Sequence, residues 1–464
     1  MNRRVFNVLI SHTLLLHPLQ VWFYMFWLFL SHTFRIPITD RNRLVARCLL
    51  QNITYRLPSH AAKDRLIGFR MLFRLIRLML KQKEPVLGPS NAWIYDGRKN
   101  AESLRKNYVE WHTGLNTEFI AREELIFLPR NLAGVVLLFL LILSSPFYLF
   151  ITLFLPSRVN TSLMLFEWVE NTNLYGLCKA YNIKRLFFFS PYEKDANLAA
   201  RLLIEQGVYV SKHPSPGPLM THNAGLIANE LMLSNQYQVD EFTHFKSTMF
   251  VDRHTKWLPE FSQQYLGKYT GEHKAAAIDT VGYYTSASWL RRKLGHANNG
   301  HNTFESEQVV LDCLRQVLME RPSVHLIIFL HPREKHDSQI DEAKQYYRSF
   351  FQGADIDFAS TELKTTENFN SVDLAVAAYS TTIYERLFCG FKTLAYYAGT
   401  RSFPLLGSSL ENIVLKDPVS FKNKIIESLG IGTERFFEFN KLEGYRYSEF
   451  DQFGRMHLPN TDKI

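Results

Sequence analysis

The stretch from Asn368 to Gly399, N-F-N-S-V-D-L-A-V-A-A-Y-S-T-T-I-Y-E-R-L-F-C-G-F-K-T-L-A-Y-Y-A-G, decides how the rest of the chain is read. Its apolar run Val372–Ala378 ends in Tyr379-Ser380-Thr381-Thr382. A helical pattern follows over Ile383–Phe388, Cys389-Gly390 stops it, and a second apolar run covers Lys392–Tyr397. That order predicts strand, hydroxyl-rich turn, short helix, glycine stop and strand.

Hydroxyls at the carboxyl end of a strand, followed by free N–H groups at a helix N-terminus, predict an anion site. Ser380, Thr381 and Thr382 are the expected phosphate contacts. Glu385 falls one helical turn beyond Thr381, where a carboxylate can accept hydrogen bonds from ribose hydroxyls. Taken alone, the same residues also fit ordinary helix capping. A second segment favours the nucleotide: Ser323–Leu330, S-V-H-L-I-I-F-L, has a buried-strand pattern and runs directly into His331-Pro332-Arg333-Glu334. His331 thus stands at a strand's carboxyl end, where doubly wound sheets gather their ligands.

A chain of 464 residues with 46% hydrophobic residues has room for two or three domains. Cys48, Cys178, Cys313 and Cys389 show no C-x-x-C spacing, which predicts reduced, unpaired thiols in a cytosolic setting. The net charge of +9 is confined to one segment: residues 32–130 hold 18 Lys/Arg against 9 Asp/Glu, and residues 131–464 hold 33 against 35. Apolar runs flank that basic segment, so its expected partner is a membrane surface and not nucleic acid.

The first apolar run, about Val8–Leu30, follows Arg3-Arg4 and shows no small-residue cleavage site, which predicts an uncleaved anchor or an interfacial helix. The second, Leu132–Leu155, carries no charge over 24 residues and is interrupted by Ser144-Ser145-Pro146, which predicts a span or a re-entrant hairpin. Between them, Ala61–Lys83 sets Arg65, Arg70, Arg74, Arg77 and Lys81 among Leu, Ile, Met and Phe. That pattern suits a helix at the headgroup level with its arginines on membrane lipids, and equally an amphipathic helix packed on the protein. The basic segment is expected at the cytoplasmic face of the plasma membrane.

Beyond these runs strand and helix patterns alternate. Ser162–Val169 reads as a strand, Leu174–Tyr181 as a helix, Lys184–Ser190 as a strand, Asp195–Glu205 as a helix and Gly207–Ser211 as a strand. Pro216–Ser234 reads as a helix, Lys246–Asp252 as a strand and His254–Leu266 as a helix. After the polar stretch Gly267–Lys274 come Ala276–Tyr284 (strand), Ser288–Leu294 and Glu305–Glu320 (helices), the strand into His331, Ile340–Phe351 (helix), Asp355–Ala359 (strand), and finally Pro418–Leu429 (helix) after the opening stretch. The expected fold class is α/β, with two Rossmann-like domains facing each other across a cleft behind an N-terminal helical membrane-associating region. The expected boundaries are 1–160 for that region, 161–266 for an acceptor-side domain, 274–430 for a nucleotide-sugar-binding domain, and 431–464 for a tail packing back on the first half.

His331-Pro332, with V-D-L-A-V-A-A-Y-S-T-T-I-Y-E-R-L-F-C-G some forty residues later, resembles glycosyltransferases of the GT-B type. The likeness is greatest to bacterial sialyltransferases and polysialyltransferases of lipooligosaccharide and capsule synthesis, whose donor half carries an H-P motif and a later Ser/Thr pair. It covers roughly residues 160–430 in pattern and about ten residues in specific motifs. The resemblance implies that His331, with Pro332, contacts the donor's phosphate and helps the nucleotide leave, that Ser380 and Thr381, with Thr382 beside them, bind the same phosphate, and that Glu385 binds the ribose. It also implies that the loop Thr285-Ser286 approaches the donor's phosphates. An imidazolium, hydroxyls and a helix N-terminus would then stabilise the leaving phosphate, with no cofactor and no metal held by the protein. The D-x-D at Asp355-Ile356-Asp357 falls inside a predicted strand and reads as edge charge.

Those sialyltransferases carry a D/E-D/E-G motif that supplies the base; the nearest triplet here is Tyr95-Asp96-Gly97. The expected base is Glu170, placed after the first predicted strand of the acceptor half, with helix-dipole stabilisation as its other role and His213 and His222 as further candidates. The expected activity is transfer of a sugar from a nucleotide-sugar donor to a lipid-linked or polysaccharide (glycan or glycolipid) acceptor. The alternatives are a glycerophosphotransferase using a cytidine nucleotide and a non-catalytic envelope-assembly subunit.

Overall fold

The computed structural model describes residues 67–130, 134–143, 161–189, 197–213, 226–246, 249–259, 279–295, 304–336, 338–354, 356–362, 365–378, 380–398 and 404–446. The first half holds strands β1 (Ala92–Asp96), β2 (Glu118–Ala121), β3 (Arg185–Phe189), β4 (Tyr209–Lys212), β5 (Ile227–Leu233) and β6 (Phe250–Lys256). They pair in parallel in the order β2-β1-β3-β4-β5-β6. The second half holds β7 (Thr280–Tyr284), β8 (His325–Phe329), β9 (Ile356–Phe358), β10 (Leu374–Ala377), β11 (Lys392–Tyr396) and β12 (Val414–Leu415), also all parallel, in the order β12-β11-β10-β7-β8-β9. Counted from β7, that is the 3-2-1-4-5-6 order of a dinucleotide-type sheet, whose strand order reverses between β7 and β10.

Side chains alternate across each strand, so each sheet feeds two apolar layers. In the first half Trp93, Tyr95, Leu186 and Phe188 face one layer, while Ile94, Phe187 and Phe189 face the other. In the second, Val281, Tyr283, Leu326 and Val376 enter the larger layer, and Tyr284, Phe329, Ala375 and Ala377 the smaller. Two Rossmann-like α/β halves are therefore present, and the second follows the expected element order except for the unforeseen edge strand β12.

The first half departs from expectation at several points. The segment 1–160 is not uniformly helical, because β1 and β2 lie within it and complete the first sheet. Thr161–Ala180 is one helix, in place of the expected strand Ser162–Val169 and shorter helix. From Trp168 to Leu174 every residue of it is buried, so no amphipathic stripe marks it in sequence. Part of the expected helix Pro216–Ser234 is strand β5. The expected helix His254–Leu266 begins within β6.

The apolar run Val8–Leu30 lies outside the described residues. Of Leu132–Leu155, residues 134–143 form a helix whose Leu137, Leu140 and Leu141 are buried in the first core, and the rest of that run lies outside the described residues. No helix among the described residues is long and apolar enough to cross a membrane. Ile67–Lys81 packs Leu75 and Met79 into that same core. At the other end of the chain, Thr433–Asn440 puts Phe436 and Phe437 into the second core, and residues 447–464 lie outside the described residues.

Candidate functional site

The halves meet through segments that leave the carboxyl ends of their strands. Tyr237, in the helix Gln236–Phe245 that follows β5, accepts the Leu405 N–H at 2.8 Å. Its ring stacks on Tyr384 with centroids 5.9 Å apart. Tyr384 belongs to the helix Thr382–Phe388 after β10. Both carboxyl edges thus face one junction. A cavity of about 400 Å³ opens there, lined by Gln236, Asp240, Leu405, Ser408, Lys441 and Tyr445 among others, none of them a residue expected in the donor site.

Register sets the second sheet's edge flush: Tyr284 of β7 pairs with Phe329 of β8 and with Ala377 of β10. Thr285-Ser286, His331 and Ser380–Thr382 therefore leave three adjacent strands at one level, around the point where strand order reverses. The strands carrying His331 and Ser380 flank β7, about 10 Å apart at the usual strand spacing.

The His331 loop is built on a buried carboxylate. The His331 N–H donates to Thr285 Oγ1 at 2.8 Å and to Glu334 Oε2 at 2.9 Å. The Thr285 hydroxyl donates to the same carboxylate oxygen. Glu334 Oε1 accepts Trp289 Nε1–H at 2.5 Å and the Tyr347 hydroxyl at 2.9 Å. Glu334 is 0% exposed, so the last residue of H-P-R-E is the peg on which the first one hangs.

Glu307, also fully buried, fastens the neighbouring loop. It accepts Tyr283 OH at 2.8 Å, the Ser286 N–H at 3.2 Å and the Ser288 N–H at 3.0 Å. Between those two N–H groups Ala287 adopts φ 55°, a left-handed conformation costly for a residue with a Cβ. Burial, then the neighbouring Glu334 charge, pushes the Glu307 carboxyl above its usual range. The expectation that Thr285 meets a donor phosphate gives way to a supporting role, because its hydroxyl is committed inward. Ser286 Oγ, in contrast, is buried without a hydrogen-bond partner among the described residues.

His331 itself is partly buried, and Pro332 beside it is exposed. His331 Nδ1 accepts the Arg333 N–H at 3.1 Å, so the neutral ring carries its proton on Nε2. Burial first, then the charges of Arg291 and Arg333, lower its pKa to about 4. Burial and the two arginines thus favour a neutral imidazole in the free protein, with Nε2–H available to donate. The positive charge beside it belongs to Arg291 and Arg333, which sequence reasoning passed over.

The expected free N–H groups after β10 are also largely taken. The Thr382 N–H donates to Ser380 Oγ at 3.2 Å, Ile383 N–H to Ser380 O at 3.2 Å and Tyr384 N–H to Thr381 O at 3.0 Å. Ser380 Oγ donates onward to Thr382 Oγ1 at 3.0 Å, which leaves the Thr382 hydroxyl proton for a ligand. Thr381 is also part-exposed. The Glu385 side chain makes no hydrogen bond or ion pair among the described residues, and burial pushes its carboxyl up to about 7.

Arg386 keeps this turn in place. It is 0% exposed and donates to Phe369 O at 2.8 Å, Tyr284 OH at 3.1 Å and Thr393 Oγ1 at 3.3 Å. The D-x-D region behaves as expected where it is described: Asp357 lies on edge strand β9 and faces His325 Nε2 at 3.2 Å.

Glu170 does not follow a strand. It lies within the helix Thr161–Ala180, 1% exposed, accepting Arg122 Nε–H at 2.7 Å and the Tyr95 hydroxyl. The acid at a strand end is Asp96, the last residue of β1, which borders the point where the first sheet's order reverses; like Glu170 it is fully buried. Asp96 accepts Arg105 Nε–H at 2.7 Å and the Arg98 N–H at 2.9 Å. The Tyr95-Asp96-Gly97 triplet was the sequence signal for it. His213, one residue past β4, shares Nε2 with Tyr108 OH and Ser234 Oγ, each at 3.2 Å.

No family model matches the chain, and no curated protein matches it. Solved structures similar to it include the UDP-GlcNAc 2-epimerase of Neisseria meningitidis, at TM-score 0.45 and 6% identity over 76% of this chain and 94% of that one. Others are the O-GlcNAc transferase of Thermobaculum terrenum, at TM-score 0.41 and 14% identity over 95% and 80%, and MurG of Acinetobacter baumannii, at TM-score 0.38 and 11% identity over 79% and 93%.

Proposed function

We propose that the chain is a glycosyltransferase that moves a sugar from a nucleotide-sugar donor to a lipid-linked or polysaccharide acceptor. The observation that carries this reading is the flush edge of β8, β7 and β10. It sets His331, the vacant Ser286 hydroxyl and the Thr381-Thr382 hydroxyls around the reversal point of a 3-2-1-4-5-6 sheet, with Arg291 and Arg333 acting on His331. Charge-bearing donors and hydroxyls at that place suit the phosphate of a nucleotide, and Glu385 suits its ribose. The sugar we propose is sialic acid or a related sugar, in keeping with the resemblance of the His331-Pro332 and Ser380-Thr381 motifs.

In the reaction the acceptor oxygen forms a bond to the anomeric carbon while the bond from that carbon to the donor phosphate oxygen breaks. The electron pair leaves on the phosphate, where His331 Nε2–H, the Thr381-Thr382 hydroxyls and the two arginines stabilise it. The acceptor's proton passes to a base on the first sheet's carboxyl edge, and we assign that role to Asp96, which in the free protein is buried against Arg105.

A panel of cytidine, uridine, guanosine and thymidine nucleotides tests the donor site by thermal shift, since a ligand of the native state raises the melting temperature by mass action. One nucleotide should stabilise the wild type by several degrees and His331→Ala far less. No stabilisation by any of them, or wild-type turnover in His331→Ala, overturns the reading.

A further inference from the structure

We infer that the outer side of the helix layer over the first core is a bilayer-docking face for acidic lipid. The helix 134–143, G-V-V-L-L-F-L-L-I-L, contains no polar side chain. Leu137, Leu140 and Leu141 are buried in the first core, while Val135, Phe139, Ile142 and Leu143 are 63%, 62%, 59% and 58% exposed. Those four recur at i, i+4, i+7 and i+8, a single stripe along the helix. A stripe of that kind on a soluble surface marks an interaction site, because water ordinarily drives such residues inward.

A second helix of the same layer supplies the charge. Ile67–Lys81 and helix 134–143 bury their inner faces in one core, so both belong to the layer that covers one side of the first sheet. The outer face of Ile67–Lys81 carries Phe73 at 70% and Leu80 at 66% exposure, interleaved with exposed Arg74, Arg77 and Lys81. Arg74, Arg77 and Lys81 form no ion pair with the described residues. Apolar groups that reach into the acyl boundary beside cations that stay at headgroup depth fit an anionic bilayer, and charge selects that occupant over a neutral protein surface. The docking face does not depend on the sugar chemistry of the other half.

The full chain carrying benzoylphenylalanine at position 139 is photolysed with vesicles of phosphatidylglycerol and phosphatidylcholine. A lipid adduct at position 139 is expected, falling about tenfold on pure phosphatidylcholine and in Arg74→Ala/Arg77→Ala. The same probe at Val419, 66% exposed on the other half, should give none. Crosslinking of position 139 only within the chain, as when residues 8–30 cover the stripe, or only to a second copy, overturns the proposal. So does an adduct indifferent to lipid charge. The nucleotide-induced thermal shift of Arg74→Ala/Arg77→Ala should match wild type, which separates loss of docking from failure of the donor site.

Discussion

Glu334 holds His331 by its backbone: the His331 N–H donates to Glu334 Oε2 at 2.9 Å, three residues along a turn closed by the Glu334 N–H on His331 O at 2.8 Å. The peptide beneath the imidazole is thereby fixed, and the Arg333 N–H on Nδ1 at 3.1 Å orients the ring. Glu334→Ala orphans the Trp289 N–H and the Tyr347 and Thr285 hydroxyls in a dry interior, at about 1–3 kcal/mol for each donor left unmade. The expected outcome is a large fall in the urea midpoint. Glu334→Gln should fold but turn an acceptor pair into a mixed donor and acceptor. It should lower kcat more than it raises KM, measured against wild type under saturating donor.

His331 gives the protein a pH signature. Its folded pKa, about 4, lies below the ordinary 6.5, and so does that of His112, lowered to about 4 chiefly by burial beside Trp257. The unfolded chain therefore binds more protons between these values. The stability linked to both rings is complete above pH 6.5 and is lost as pH falls toward 4. Thermal melts should show a lower midpoint at pH 5 than at pH 7, with a shallower dependence in His112→Phe. A bound phosphate should raise the His331 pKa, so nucleotide binding at pH 5 should take up protons, read as a buffer-dependent calorimetric enthalpy.

Glu385 works with the opposite sign. Its carboxyl is raised from 4.5 to about 7 by burial, so the folded state holds the proton more firmly and the group costs stability as pH rises through that interval. Glu385→Gln should stabilise the free protein at pH 8 relative to pH 5. If the carboxylate receives ribose hydroxyls, nucleotide affinity in the wild type should rise between pH 6 and 8 and drop about tenfold on substitution, with the pH slope flattened. Affinity independent of pH in both proteins would detach Glu385 from the ribose.

Much of the second half was legible because its cues are local. Pro418–Leu429 is found with its expected bounds, Asp417 capping the Ser420 N–H at 2.8 Å and Pro418 in the first turn. His331 and Ser380–Thr382 were readable from their places after apolar runs. What fixes them was not: Glu334, Glu307, Arg291 and Arg386 act across tens of residues of chain, and no spacing announces those partners. The first half hides its elements for two reasons. Thr161–Ala180 is buried around its girth over its central turns, and β5, I-A-N-E-L-M-L, is written largely in helix formers that become a strand by pairing with β4 and β6.

Glu170 and Asp96 can be told apart by what each loses. Glu170 is 1% exposed and joined to Arg122 and to the Tyr95 hydroxyl, so Glu170→Ala strands a cation and a phenol. Removing one partner of a buried pair costs about 3–5 kcal/mol, and the low end applies because Arg122 keeps some contact with water. The expected result is a lower melting temperature with kcat largely kept at a temperature where the variant is folded. Asp96 stands at the end of β1, its carboxylate oriented by the Arg98 N–H and Arg105. Asp96 is 0% exposed and paired with Arg105, so Asp96→Asn also weakens a buried ion pair and lowers the melting temperature. At a temperature where the variant is folded, loss of the proton acceptor should lower kcat by about two to four orders of magnitude with donor KM little changed. A kcat loss of that size in folded Glu170→Gln, with Asp96→Asn near wild type, would return the base to the helix and take it from the strand.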